Sequence, residues 1–592
     1  MKSGENQIKS MDLPEECWEL ICKAIDEDDY RFLESVSLVS TLFLSITNRV
    51  RSTFVVTDRT LPFLNRHLLR FRSLKRIRFS DFNQDLNSIL LQVSRSGLDF
   101  ESVDVSQKRY FPDFEKSGMM MKNVKELKCY GVGSFRDSDL VSIGVNFPFL
   151  EKLDISYPNS IPSRVSDSGV IELSSNLKGL LKINISGNSF ITDKSLIALS
   201  QNCVLLREII FRDCDFISSD CIKFVLRNSR NLVSLAINGI GLRPRESLSS
   251  DAFLFARCLT ELDLSDSFLS DELLCLIADA KLPLKKLLLS DCHGFTFDGI
   301  LYLLAKYQTL VHLNLKGANF LSDEMVMELG MFFRSLTFLN LSFCSKLTGL
   351  AFFSIIERCV SLRCMIMVGT NFGVEEYSKE LDIKSGIKFL YFSRNHNLRD
   401  ECLEKISRHC PFLESLDVAQ CPGITRDGIL EVWRNCGELR SLDISRCTGI
   451  RSLGVVDFEL PKLESLRACG TWIDDEALDM ISKRCRGLLH LDLQGCLNVS
   501  SRGVKEVVQS CIRLREINLK YCEADNKMFT WMVFANPSLR KIVPPCGFSP
   551  TKKLENFLLR HGCVISQDSS ELLSIAYRAN GRDDDTLTRL II

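Results

Sequence analysis

A short phrase recurs along most of this chain. It reads Leu416-Asp417-Val418-Ala419-Gln420-Cys421 in one copy and returns as Leu262-Asp263-Leu264, Leu313-Asn314-Leu315, Leu339-Asn340-Leu341, Leu442-Asp443-Ile444, Leu491-Asp492-Leu493 and Ile517-Asn518-Leu519. A fixed period of about 26 residues constrains the fold more than composition does. Each unit is too small to bury its own core, so it must stack on its neighbours as a solenoid. Such a stack presents a long surface that binds things and rarely does chemistry.

The central apolar residue of each phrase serves as a marker: Ile77, Val103, Leu127, Leu153, Ile183, Ile209, Leu235, Leu262, Leu287, Leu313, Leu339, Met365, Leu390, Leu416, Leu442, Leu466, Leu491, Ile517 and Ile542. Steps are mostly 24 to 27 residues, with one of 30. Alternation within the phrase predicts a strand, Leu416 and Val418 pointing to the core, Asp417 and Ala419 away from it. A turn closed by Cys or Asn follows, as at Cys292, Cys344, Cys421, Cys447, Cys496 and Asn188. Next, Thr192-Asp193, Ser270-Asp271 and Ser322-Asp323 open helices: the hydroxyl caps free N–H groups and the carboxylate suits the helix dipole. A second Cys often ends the unit, as at Cys203, Cys359, Cys410, Cys436, Cys485 and Cys511.

Over about residues 70 to 545 this pattern resembles the cysteine-containing leucine-rich repeats of the ribonuclease-inhibitor-like class. The resemblance implies an α/β solenoid, a horseshoe with a parallel concave sheet and convex helices. Stacking 19 strands about 4.8 Å apart gives a ladder of roughly 90 Å. The array is assigned to residues 57–545, about 16 to 19 units, between a polar tail at 1–10 and a C-terminal cap and tail at 546–592. Leu554, Phe557 and Leu558 predict one closing helix in that cap, and Asn580 to Asp585 read as exposed. Regularity lapses around Tyr157 to Pro162, around Gly241 to Pro244 and from Gly369 to Gly386.

Residues 11–56 lack the repeat. An acid and a proline at Asp12-Leu13-Pro14-Glu15-Glu16 mark a helix start, and Cys17, Leu20, Ile21, Ala24 and Ile25 supply an apolar face. A second run carries Leu33, Val36, Leu38, Val39, Phe43 and Ile46. So thin a core needs support from a neighbour or partner. The segment resembles the F-box family. The opening Leu-Pro-x-Glu and following Ile are matched by Leu13, Pro14, Glu16 and Ile21. The second half is matched by Leu38, Val39, Ser40 and Phe43, with Ser40, Leu42 and Phe43 standing where Cys, a basic residue and Trp are common.

That resemblance implies a plant-type F-box/leucine-rich-repeat protein, the non-catalytic substrate receptor of an SCF-type cullin–RING ubiquitin ligase. Leu13, Pro14, Glu16, Ile21, Leu33, Leu38, Val39 and Phe43 would bind the Skp-type adaptor, and through it the cullin and RING subunits. The array would hold a protein target for ubiquitination and proteasomal degradation. Other readings are a small-molecule hormone receptor, or a ligase-independent scaffold whose N-terminal helices merely cap the array. Candidate target-binding residues on the concave face are Asp263, Asn314, Asn340, Asp417, Asp443, Asp492 and Asn518 from the phrase itself, with Phe338, Phe389 and His490 beside them.

Bulk numbers narrow the class. Over 592 residues, 74 basic side chains face 75 acidic ones for a net charge of −1, which removes the electrostatic footprint of a nucleic-acid binder. The run Arg66 to Arg72 is read as a solvated helix face. No stretch of 18 apolar residues and no signal-like N-terminus are present, so no membrane role is expected. The 24 cysteines are read as thiols of a cytoplasmic or nuclear protein. With no C-x-x-C pair, no zinc spacing and no G-x-x-x-x-G-K-S/T, G-x-S-x-G or H-E-x-x-H, no metal, cofactor or catalytic residue is expected.

Overall fold

The computed structural model describes residues 13–29, 32–37, 39–58, 60–80, 85–114, 123–159, 164–239, 252–374, 383–453 and 459–566. It divides into two compact units, one through Leu264 and one from Ser265.

The first unit begins with three helices, α1 (Glu15–Asp29), α2 (Phe32–Ser37) and α3 (Thr41–Val50). Pro14 precedes the first turn and Glu15 and Glu16 lie in it, where a fixed φ and negative charge both favour a helix start. Ser40 caps α3 by accepting the Phe43 N–H at 3.2 Å. The three helices enclose a small core of Cys22, Leu33, Ile46 and Val50, with Trp18, Ile25 and Val36 against it.

Two residues after α3, the strand Thr53–Val56 begins a parallel ladder. It pairs with Arg76–Phe79, Phe54 opposite Ile77. The ladder then steps through Val103, Leu127, Leu153, Ile183, Ile209, Leu235 and Leu262, each marker opposite the next. The second unit repeats the arrangement from Leu287 opposite Leu313 to Ile517 opposite Ile542. All the sequence markers therefore occupy strand centres in a leucine-rich-repeat solenoid of parallel strands. Two further strands escaped the sequence reading: Thr53–Val56 and the two-residue Val564–Ile565, which pairs with Lys541–Val543 after the expected closing helix Lys552–Arg560. Both lack the full phrase, and their pairing is set by the strand next to them.

Three side-chain devices explain why the phrase has its letters. First, where an Asp or Asn follows the marker, its side-chain oxygen accepts the N–H two residues on, as in Asp154 to Ser156 at 3.0 Å, Asn340 to Ser342 at 3.0 Å and Asp443 to Ser445 at 2.9 Å. This Asx turn leads the chain out of the strand. The residue three after the Asp or Asn takes a left-handed conformation, Gln420 at φ 60° and Arg446 at φ 58° among them. Its N–H bonds to the following repeat, Gln420 to the Ser445 carbonyl at 2.7 Å and Arg446 to that of Cys469 at 2.7 Å.

Second, the cysteine closing that turn reaches back to the preceding repeat. Cys447 Sγ donates to the Val418 carbonyl at 3.0 Å and Cys496 Sγ to that of Ala468 at 3.1 Å. Asn395 does the same through Nδ2 to Met367 at 2.7 Å. All 24 cysteines are free thiols, and burial raises the Cys203 and Cys447 thiols to about 12. The thiols of Cys203 and Cys447, buried and bonded to carbonyls, act as structural donors.

Third, the aspartate of one helix start locks the next. Asp475 accepts the Ser500 N–H at 2.8 Å and its hydroxyl at 2.5 Å. Asp137 does so for Ser166, Asp167 for Thr192, Asp193 for Ser218, Asp271 for Thr296, Asp323 for Thr348 and Asp400 for Thr425. The fit is tight: a Cβ on Gly503 would lie 2.5 Å from Asp475 Oδ1, and one on Gly428 would lie 2.3 Å from Asp400 Oδ1.

Of the irregular stretches, Tyr157 to Asn159 leave the strand as a bend, whereas Ile161, Pro162 and Gly241 to Pro244 lie outside the described residues. So do residues 375–382 of the third stretch, and among the described residues between Met367 and Phe389 there is no helix. Residues 580–585 likewise lie outside.

Burial raises the Asp475 carboxyl, but the Ser500 hydroxyl and N–H, the Gly503 N–H and nearby Arg502 more than offset this and leave it below the usual range. A depressed carboxylate contributes stability above its unfolded pKa and loses it as pH falls through the folded value. Asp475→Ala is therefore expected to cost about 1–3 kcal/mol at pH 7, read by amide exchange of the helix Ser501–Ser510. The difference from wild type should vanish in acid below the carboxylate range. An equal difference at both extremes would contradict the charge-assisted lock.

Candidate functional site

Two faces merit attention, one on the N-terminal helices and one on the strands of the second unit. The helical module leaves large apolar side chains in solvent: Leu13 is 47% exposed, Leu20 66%, Ile21 40%, Val39 68% and Leu42 44%. Pro14 and Glu16 are exposed beside them. Leu33, by contrast, is fully buried in the module's core, and Phe43 is half-buried with its ring 4.9 Å from that of Trp18. Those two side chains support the face rather than form it. Leu38 lies outside the described residues. Leu20 and Leu42 were not among the expected adaptor contacts, although the sequence put Leu20 on the apolar stripe of α1. That stripe is wider than the core behind it can cover, and the excess is what stays exposed. Arg49 ties α3 to α1 through Glu19, at 2.7 Å, and Glu15, so the presenting helices hold one another in place.

The strand face differs from its expected openness. Asn314, Asn340, Asp417, Asp443, Asp492 and Asn518 are all buried, as is Phe338. The reason is the Asx turn: each carboxylate or amide oxygen is committed to the N–H two residues on, at 2.9–3.1 Å. Asp263, in the first unit, is buried and ion-paired with Arg212. His490 is half-buried, its Nδ1 3.6 Å from Glu516. Sequence reasoning missed the N–H partner of the Asx turn, because an i to i+2 bond leaves no periodic signal beyond the phrase itself.

In two successive repeats Ile366 and Tyr391 stand in place of the Asp or Asn, and there the face turns apolar. Phe338, Cys364, Ile366, Val368 and Tyr391 form one buried cluster, with Phe343 and Phe389 packed on it. His312 stacks on Phe338 at 3.9 Å. Beside this cluster stand Asp417 and Asp443. Burial, and then the Asp443 charge, push Asp417 well above the usual carboxylate range. Burial also raises Asp443, although Arg467 opposes it at 3.9 Å.

Among the described residues no group of His, Cys, Asp and Glu could hold a metal ion, and no helix is long and apolar enough to cross a membrane.

Because the folded Asp417 holds its proton above the pH at which the unfolded chain releases it, this site loses stability as pH rises from the ordinary carboxylate range toward the raised value. Asp417→Asn removes that penalty. It is expected to stabilise the second unit at pH 7. The gain should disappear near pH 4. Urea unfolding at both pH values checks this, and a destabilised Asn variant at pH 7 would contradict it.

No protein-family model matches the chain. The chain is similar to F-box/LRR-repeat protein 4 of Bos taurus, 26% identical over 192 residues, which is 31% of this chain and 28% of that protein. It is also similar to the BTB/POZ domain-containing protein FBL11 of Arabidopsis thaliana, 23% identical over 492 residues, 75% of this chain and 47% of that one. The chain thus spans less than half the length of either relative. Among solved structures it aligns with the Rad7 and Elc1 complex in yeast, with TM-score 0.39, 13% identity, and coverage of 88% of this chain and 96% of that one. It aligns also with an internalin of Listeria monocytogenes, with TM-score 0.33, 17% identity, and coverage of 70% and 89%. The chain is a leucine-rich-repeat solenoid with similarity, at low identity, to F-box/LRR proteins.

Proposed function

We propose that this protein is a non-catalytic substrate receptor of an SCF-type cullin–RING ubiquitin ligase, of the cysteine-containing, plant-type subclass, acting in the cytoplasm or nucleus. The observation that carries the reading is the exposed apolar face of Leu13, Leu20, Ile21, Val39 and Leu42, on a helical module joined to the first repeat strand by only two residues. An amphipathic helical face of this kind fits a groove on a partner, and Leu and Val anchors would seat in it. The F-box likeness of Leu13, Pro14, Glu16 and Ile21 makes that partner a Skp-type adaptor. Similarity to F-box/LRR-repeat protein 4 and to FBL11 supports the same class.

The mechanism is proximity. The helical module ties the receptor to the ligase while the array holds a protein target, raising the effective concentration of target lysines near the charged conjugating enzyme. The chemistry belongs to other subunits. Raised thiol pKa values at Cys421, Cys447 and Cys496 suit buried packing, not thioester formation.

The test is binding of a purified Skp-type adaptor to the full chain. Leu20→Asp and Val39→Asp are each expected to weaken it about tenfold or more, because a charge replaces an anchor. As both side chains are exposed, melting should shift by less than about 2 °C. A wild-type chain that is folded yet binds no adaptor would sink the proposal.

A further inference from the structure

The joint between the helical module and the first repeats is bolted rather than hinged. Only Arg51 and Ser52 separate α3 from the strand Thr53–Val56, and neither is glycine. Asp26, near the end of α1, is 4% exposed. It accepts the Ser52 N–H at 2.9 Å, bonds the Ser52 hydroxyl and faces the Arg76 guanidinium at 3.6 Å. Arg76 in turn donates to Ser52 Oγ at 2.7 Å and to Thr53 Oγ1 at 2.8 Å. On the other side Arg70 donates to Asn48 Oδ1 at 2.9 Å, and the Arg51 guanidinium lies 4.9 Å over the Phe71 ring.

We infer that Asp26 is a positioning residue. Its carboxylate fixes the orientation of the adaptor-facing helices relative to the repeats of the first unit. A buried carboxylate needs donors to repay its desolvation, and here Ser52 of the joint and Arg76 of the first repeats both reach Asp26 Oδ2. Segments joined by small polar interfaces move relative to each other by default; Asp26 removes that freedom. Asp26 is buried and so is not part of the exposed helical face. It would act by presenting the array at one angle to whatever the helices bind, and its consequence for ubiquitin transfer rests on the proposed function.

The experiment measures the joint directly. Spin labels carried by unnatural residues at positions 23 and 178, both exposed in the first unit, report the distance distribution in the full chain by pulsed electron resonance. Wild type should give one narrow distance. Asp26→Ala and Ser52→Ala should each broaden it, Asp26→Ala by roughly twofold, with adaptor affinity unchanged within about twofold. Asp26→Asn, which keeps an acceptor for the Ser52 N–H, should fall between. Wild-type width in both alanine variants would overturn the inference. If Asp26→Ala lost its helical signal, Ser52→Ala, which leaves the module's core intact, would decide. A wild-type chain that binds no adaptor would defeat the proposed function while leaving the distance measurement to judge the joint.

Discussion

Aspartates at seven helix starts tie one repeat to the next. In Asp400–Thr425 and Asp475–Ser500 one carboxylate accepts both a backbone N–H and a side-chain hydroxyl from the following repeat. Neither partner is satisfied within its own repeat, so the bond exists only when two repeats stack. The same logic governs the strand side, where the left-handed residue after each Asx turn donates to the next repeat's carbonyl and a buried Cys or Asn donates to the previous one. Apolar burial drives the stacking, but it is not directional. These polar links set the register, and they explain why so short a unit tolerates so little variation at three or four of its positions.

Much of this was legible in the sequence. Marker spacing located the strands from Arg76–Phe79 to Lys541–Val543, and the Ser/Thr-Asp pairs located helix starts. The strands Thr53–Val56 and Val564–Ile565 were not legible, because what makes them strands is the edge beside them. The roles of the recurring letters were only half readable. Asp417 and Asn340 suggested an open binding row, yet each is buried with Oδ1 held by its own turn, a contact two residues away that no longer-range pattern betrays. The cysteine spacing of 11, as from Cys436 to Cys447, was traceable to repetition, and the structure adds the carbonyls those thiols bond.

At the N-terminus the balance reverses. The module's core is small, four side chains with three more against it, while Leu20 and Val39 stay in water. A helical segment that exposes more large apolar side chains than its size warrants is built to be covered. Its firm attachment to the first repeats means that whatever covers it is held at a set angle to the strands that follow. On the strands, the departures from the phrase at Cys364–Ile366 and Phe389–Tyr391 concentrate the aromatic residues. Variation on an otherwise uniform scaffold is where specificity can be written, and here it is written in apolar side chains next to acids whose carboxyls burial pushes upward.

If the exposed helical face, and not the array, meets the ligase adaptor, then covering that face should leave the repeats untouched. Amide exchange of the full chain with and without a purified Skp-type adaptor tests this most directly. Slowed exchange is expected to be confined to residues 13–50, with the strands of both units unchanged. Protection that falls instead on the repeats, or on neither region although the chain is folded, would contradict it.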